Sequence, residues 1–113
     1  MRVQNVTRGV VLGDAVDVAD TSSKRRTGLL KHHSLPSGQG LWIVPCEAIH
    51  TFGMNFPIDV VFLSKKRKVL KIRKEMPRRR FAMCIRAHSV LELPAGVLSD
   101  TGTVAGDHLE FER

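Results

Sequence analysis

Apolar residues alternate with polar ones, or gather in short β-branched runs, at Val10–Leu12, Ala15–Val18, Leu41–Val44, Val60–Leu63, Val69–Ile72, Val90–Leu93 and His108–Phe111. Segments of this length and make-up predict strands, so seven short strands should dominate. Between Asp20 and Leu30 the pattern changes. Asp20-Thr21-Ser22-Ser23 offers oxygen-bearing side chains that can cap orphan helix amides, Lys24-Arg25-Arg26 follows, and Gly28 marks an end, which predicts a short helix. Pro36-Ser37-Gly38-Gln39-Gly40 reads as a loop. Pro94 to Asp100 reads as one helical turn with Pro at its first position, ending near Gly102. Lys65-Lys66-Arg67-Lys68 lies between two apolar strands and reads as a hairpin tip, where charge is harmless and discourages edge pairing.

The 113 residues make one domain's worth of chain, and 42% hydrophobic with 26% charged residues suits a soluble globular protein. No apolar run is long enough to span a bilayer. Met1–Arg8 carries no apolar segment of the signal-peptide kind, and Cys46 and Cys84 are too few for a disulfide scaffold, so a reducing cytoplasm is the expected location. No cofactor motif is present, and neither partner nor oligomeric state is encoded. The net charge of +7 is unevenly spread. From Ser64 to Arg86 eleven Lys and Arg face the single acid Glu75, a net of +10, while the rest sums to −3. Lys65, Lys66, Arg67, Lys68, Arg78, Arg79 and Arg80 therefore form a candidate basic patch for nucleic acid or an anionic surface. The alternative is a solvated, solubilising hairpin face. Only Phe81 lies among these cations, which gives single-strand binding little to stack on.

One acid stands where an acid is costly. His50-Thr51-Phe52-Gly53-Met54-Asn55-Phe56-Pro57-Ile58 leads uncharged into Asp59, and Val60–Leu63 follows. A carboxylate there must be hydrogen-bonded, ion-paired, protonated or lining a wet pocket. Gly53, inside a strand-like run, suggests a bulge that re-aims neighbouring side chains. The expected pocket is formed by His50, Phe52, Met54, Asn55 and Asp59, with Trp42 as a wall. His50 with Asp59 could orient a general base, and Cys46 or Cys84 with His50 could form a thiol nucleophile, yet no complete catalytic constellation is visible. Cys46, His50 and Met54, with Cys84 returning across strands, could suit Zn²⁺ or Cu(I). The architectural alternatives are Asp59 capping the Pro57 turn through backbone amides, His50 donating to a carbonyl, and both cysteines filling the core. Glu92 lies between Leu91 and Leu93, so on a strand with one buried face it points to solvent; pairing with Arg26 is the rival reading.

Four blocks, Lys24–Leu30, Gly40–Ile43, His50–Met54 continuing through Pro57–Leu63, and Val90–Gly96, resemble in their order and spacing the domain-of-unknown-function 192 family, from roughly Val10 to Glu112. The resemblance implies a compact, mainly β domain, a sandwich or irregular barrel with one or two short helices, and it implies no activity. It is to the short-loop branch, where Arg would be expected at the place Asn55 holds. The first function expected is thus a small, non-catalytic domain binding a ligand or partner through residues 50–59. A thiol or metal site at Cys46, His50 and Asp59 and an electrostatic binder through Lys65–Arg80 are the alternatives.

Overall fold

The computed structural model describes residues 1–112. A five-stranded mixed sheet is built from Ala15–Ala19 (β3), Gln39–Ile43 (β4), Ile58–Leu63 (β6), Val69–Met76 (β7) and Ser89–Pro94 (β9), in the spatial order β3-β4-β9-β6-β7. The pair β3 and β4 is parallel and its crossover carries the helix Ser22–Thr27 (α1); the other neighbours run antiparallel. Arg2–Asn5 (β1), Val10–Gly13 (β2) and Leu109–Glu112 (β10) form an antiparallel sheet ordered β10-β1-β2. Ala48–His50 (β5) and Phe81–Met83 (β8) pair as a two-stranded ribbon. A second helix, α2, spans Val97–Thr101. Among the described residues the sheets stay separate and no barrel closes.

The large sheet is covered on both faces, which explains why β6 is buried at every position and β9 at all but its last. On one face Leu41, Ile43, Val60, Phe62 and Val90 pack against Ile49 and Ala82 of the ribbon and Leu29 just after α1. On the other, Trp42, Val61, Leu63, Leu91 and Leu93 pack against Val3, Leu12 and Leu109 of the small sheet and Leu98 of α2. The result is a sandwich with a third, partial layer.

All seven expected strands form, and the helix from Asp20 to Leu30 appears as α1. Thr21 is its N-cap, with Oγ1 accepting the Lys24 amide at 3.1 Å, and Gly28 ends it at φ 48°. Three strands lay below the reach of the pattern. Buried Asn5 breaks the apolar alternation in β1, while β5 and β8 have three residues each. Pro94 closes β9 instead of opening α2, whose N-cap is Gly96. Gly40 permits close approach: a Cβ there would meet the Glu92 carbonyl oxygen at 2.9 Å.

The bulge is not at Gly53, which sits at φ 81° in the turn joining β5 to β6. It lies in β7 beside Asp59, where the register advances from Ile58↔Met76 to Val60↔Arg73 and Glu75 adopts φ 48°. A bulge removes an amide from the ladder. Asp59 captures it: Oδ1 accepts the Glu75 amide at 2.7 Å, and Oδ2 accepts the Gly96 and Leu98 amides at 3.2 and 2.8 Å. Gly96 has no side chain to cap its helix, so Asp59 does so from another strand and sets negative charge at the helix start. The partners are thus distant amides, not those of the Pro57 turn. At the far side of the molecule Asp107 accepts bonds from Arg8 Nε at 2.6 Å, Asn5 Nδ2 at 2.9 Å and the Val104 amide at 3.1 Å, tying β1 to the turn before β10. Burial alone would push that carboxyl up; Arg8, Asn5 and Val104 together outweigh it and hold it below the usual range.

Asp59→Ala strands three amides at once and should destabilise the protein by roughly 3 kcal/mol or more, whereas Asp59→Asn keeps acceptor capacity on one side and should cost about half as much. Urea unfolding of both variants checks the order; equal midpoints for wild type and Asp59→Ala would refute this role.

Candidate functional site

The crossover from β3 to β4 lays α1 across the sheet face that also carries the β5–β8 ribbon. Because α1 buries none of its own side chains, an open hollow of about 430 Å³ is left between helix, sheet and ribbon. Arg25 and Arg26 of α1, Cys46 before β5, His50 at its end, Met54 beyond it and Glu92 of β9 line this hollow.

Glu92 is the unexpected member. Its register partners are Leu41 and Val60, so it does point away from Leu91 and Leu93. That face is also covered, and Glu92 is only 3% exposed. The expectation of solvent exposure fails because it assumed a sheet with one wet side. Oε1 is buried without a hydrogen-bond partner, and burial pushes the carboxyl up to about 7. Arg26 shares the hollow with Glu92 without an ion pair; among the described residues the one salt bridge is Arg8–Asp107.

Cys46 is half-buried, and its Sγ donates to the Ala48 carbonyl at 3.1 Å. Burial pushes the thiol up and the charges of Glu92 and Glu47 push the same way, against the Ala48 backbone bond and Arg25. Cys84 is brought near through its amide, which donates to the Glu47 carbonyl at 2.8 Å. Cys46, His50 and Met54 thus reach one hollow, but among the described residues no three of His, Cys, Asp and Glu group as metal ligands would.

The set expected from residues 50–59 is divided by the sheet. Asp59 pairs with Leu93 and faces α2, the side opposite Glu92, so His50 and Asp59 form no pair. His50 is exposed, its ring 5.7 Å from that of Phe52, which is itself 52% exposed. Asn55 is exposed and its Nδ2 donates to the His32 carbonyl at 3.3 Å. Trp42 is no wall of this hollow. It lies in the other core, with its ring 4.5 Å from that of Phe111 and the Arg67 guanidinium 4.6 Å above it.

The candidate basic patch is divided as well. Lys65, Lys66, Arg67 and Lys68 sit at the tip joining β6 to β7, and Arg67 is partly buried over Trp42. Arg78, Arg79 and Arg80 sit beyond the other end of β7, an eight-residue strand of about 26 Å. Thr51 secures that end: its Oγ1 donates to the Pro77 carbonyl at 2.6 Å and accepts the Arg80 amide at 2.9 Å. Lys71, Arg73 and Lys74 run along β7, the edge of the sheet, where charge guards against unwanted pairing.

A family model for DUF192, described as Uncharacterized ACR, matches residues 3–111. A UPF0127 protein of Thermococcus sibiricus is 32% identical over 113 residues, 96% of this chain and 73% of the relative. Among solved structures, a proposed transcription regulator from Sinorhizobium meliloti aligns with a TM-score of 0.83 at 22% identity, over 96% of this chain and 89% of its own. A protein of unknown function from Novosphingobium aromaticivorans aligns with a TM-score of 0.78 at 21% identity, over 85% of this chain and 74% of its own. Likeness at such identities extends to the fold. The family model, by contrast, runs from β1 into β10, and the chain belongs to DUF192, a family of uncharacterised proteins.

Proposed function

We propose that this protein is a ligand-binding domain whose site is the hollow beside α1. Its ligand is a small organic molecule that offers a hydrogen-bond donor to Glu92 and an anionic group to Arg25 and Arg26. The observation that carries the reading is the buried, partnerless Oε1 of Glu92 in the lining of an open cavity. An unsatisfied buried acceptor costs about 1–3 kcal/mol, a cost that Leu or Val at the same place would avoid. A donor arriving with a ligand removes it. The expected site keeps His50 and Met54 and gains Arg25, Arg26, Cys46 and Glu92, whereas Phe52, Asn55, Asp59 and Trp42 fall outside the lining. A thiol enzyme is less well supported, because nucleophilic attack needs a thiolate and the Cys46 thiol is pushed the other way.

Free amino acids carry both required groups in one small molecule, so thermal melting with each of them at millimolar concentration is the direct check. At least one should raise the wild-type midpoint, and Glu92→Gln and the double change Arg25→Ala/Arg26→Ala should each remove the shift. A bound ligand at a hundredfold excess over its Kd would add about 2.7 kcal/mol. If no amino acid, alkylamine or carboxylate moves the wild-type midpoint, the proposal fails.

Glu92 also sets a pH dependence for the empty protein. Its carboxyl titrates near 7 when folded and at the ordinary value of 4.5 when unfolded, so between these the folded state holds a proton that the unfolded chain has lost. Stability should therefore be greatest below about pH 4.5 as far as this group is concerned. It should fall as pH rises, levelling off above about pH 7 after a loss of about 3 kcal/mol. Glu92→Gln should flatten the slope in urea midpoints measured across that window; an unchanged slope would show that Glu92 is ionised in the fold.

A further inference from the structure

Exposed apolar side chains are not spread evenly over this molecule. Of the eight large ones among the described residues, Phe52, Phe81, Met83 and Ile85 gather on and around the β5–β8 ribbon. Strand alternation explains their direction. Ile49 and Ala82, which pair across the ribbon, are buried against the sheet, so the intervening positions His50, Phe81 and Met83 face outward. Phe81 is 57% exposed and Met83 44%, and Ile85, in the turn that follows β8, is 73% exposed. Phe52 adjoins through its ring contact with His50. Leu30 extends the patch, one of its methyl groups lying 3.5 Å from where a Cβ on Gly53 would stand.

Cations surround this apolar strip. Arg78, Arg79 and Arg80 precede it directly, Arg86 follows it, and the Lys71 ammonium donates to the Met83 carbonyl at 2.8 Å. Glu47, beside Cys84, and exposed Glu75, three residues before Arg78, are acids at this end, outnumbered by its cations. Single-stranded nucleic acid would use the arginines and stack on Phe81, but it has no use for Met83 and Ile85, which offer no flat ring. An anionic bilayer uses both kinds of group: aliphatic and aromatic side chains sink among the headgroups while arginines meet the phosphates.

We propose that the outer face of the β5–β8 ribbon docks on an anionic lipid surface, with Phe81, Met83 and Ile85 inserted and Arg78, Arg79, Arg80 and Arg86 at headgroup level. This surface borders the hollow at Leu30 and His50, but the proposal does not depend on the ligand reading of the hollow. The hairpin tip at Lys65–Lys68 lies at the opposite end of β7 from Arg78–Arg80 and stays off the membrane; Arg86 alone approaches it, two residues before His88, whose amide donates to the Leu63 carbonyl at 2.8 Å.

Co-sedimentation with vesicles of phosphatidylcholine, with and without phosphatidylglycerol, tests this. Wild type should bind the anionic vesicles and pellet far less with phosphatidylcholine alone. Phe81→Ser/Ile85→Ser should weaken binding about tenfold, and Arg78→Gln/Arg79→Gln/Arg80→Gln by at least as much. Lys65→Gln/Lys66→Gln/Lys68→Gln removes the same charge from the far end and should change binding less than twofold. All these residues are exposed, and unchanged circular dichroism and melting would confirm that each variant folds. Absence of wild-type binding, equal binding without phosphatidylglycerol, or equal loss from the two charge variants would overturn the proposal. So would tight binding of single-stranded RNA that survives Phe81→Ser/Ile85→Ser, alongside weak vesicle binding.

Discussion

Three backbone amides converge on one carboxylate, and much of the architecture follows from that convergence. Asp59 sits on a central strand with no exposure, an environment that would be prohibitive for an isolated charge. Its two oxygens instead complete structure on both sides of the strand. One replaces the ladder bond that the β7 bulge at Glu75 forfeits, and the other holds the first turn of α2. The bulge bends the edge strand and α2 closes the second core through Leu98. A single side chain thereby couples three elements distant in sequence, a form of connection that local propensity cannot supply.

Covering both faces of the five-stranded sheet has a consequence for function. In a sheet with one wet side, consecutive residues separate into core and solvent. Here they separate into two cores, so side chains adjacent in sequence belong to different parts of the molecule. Ile58 and Val60 look toward α1 and the ribbon, while Asp59 and Val61 look toward the small sheet and α2. Trp42 and Leu41 divide in the same manner. A site assembled from neighbouring residues in the sequence is therefore cut in two by the sheet.

This explains what was legible in the sequence. The seven strands with four or more patterned residues or continuous apolar runs could be read, as could α1, whose start and stop are written in Thr21 and Gly28. The family resemblance added the expectation of a mainly β sandwich or irregular barrel with one or two short helices; the mainly β fold with two short helices holds, and among the described residues no barrel closes. Strands β5 and β8 could not be read, being three residues long and stabilised by pairing with each other and by packing of Ile49 and Ala82. The ribbon closes one side of the hollow through Ala48, Ile49 and His50 of β5, so the hollow itself was out of reach although α1, which supplies much of its lining, was legible. The anomaly at Asp59 was visible as a buried acid in need of partners, but the identity of those partners depends on a bulge created by tertiary structure. The basic stretch was legible as charge, while its division between the two ends of β7 required the strand's length and direction.

Two acids occupy opposite faces of the same sheet, and their difference bears on what each is for. Asp59 receives three amides, one on Oδ1 and two on Oδ2. Glu92, on the adjacent strand, has an oxygen with none. Both are surrounded by aliphatic side chains, so burial alone does not distinguish them; hydrogen-bond satisfaction does. A fold can supply amides to a buried acid when its backbone is irregular nearby, as at the β7 bulge and the start of α2. Glu92 lies where β4, β9 and β6 are regular and every amide is already committed to the ladder, so its missing partner has to come from side chains, water or a ligand in the hollow. Arg25 and Arg26 line that same hollow and make no ion pair with Glu92, the arrangement on which the proposed ligand reading rests. The acid completed by the backbone belongs to the architecture, and the incomplete one is the group on which the proposed binding reading turns.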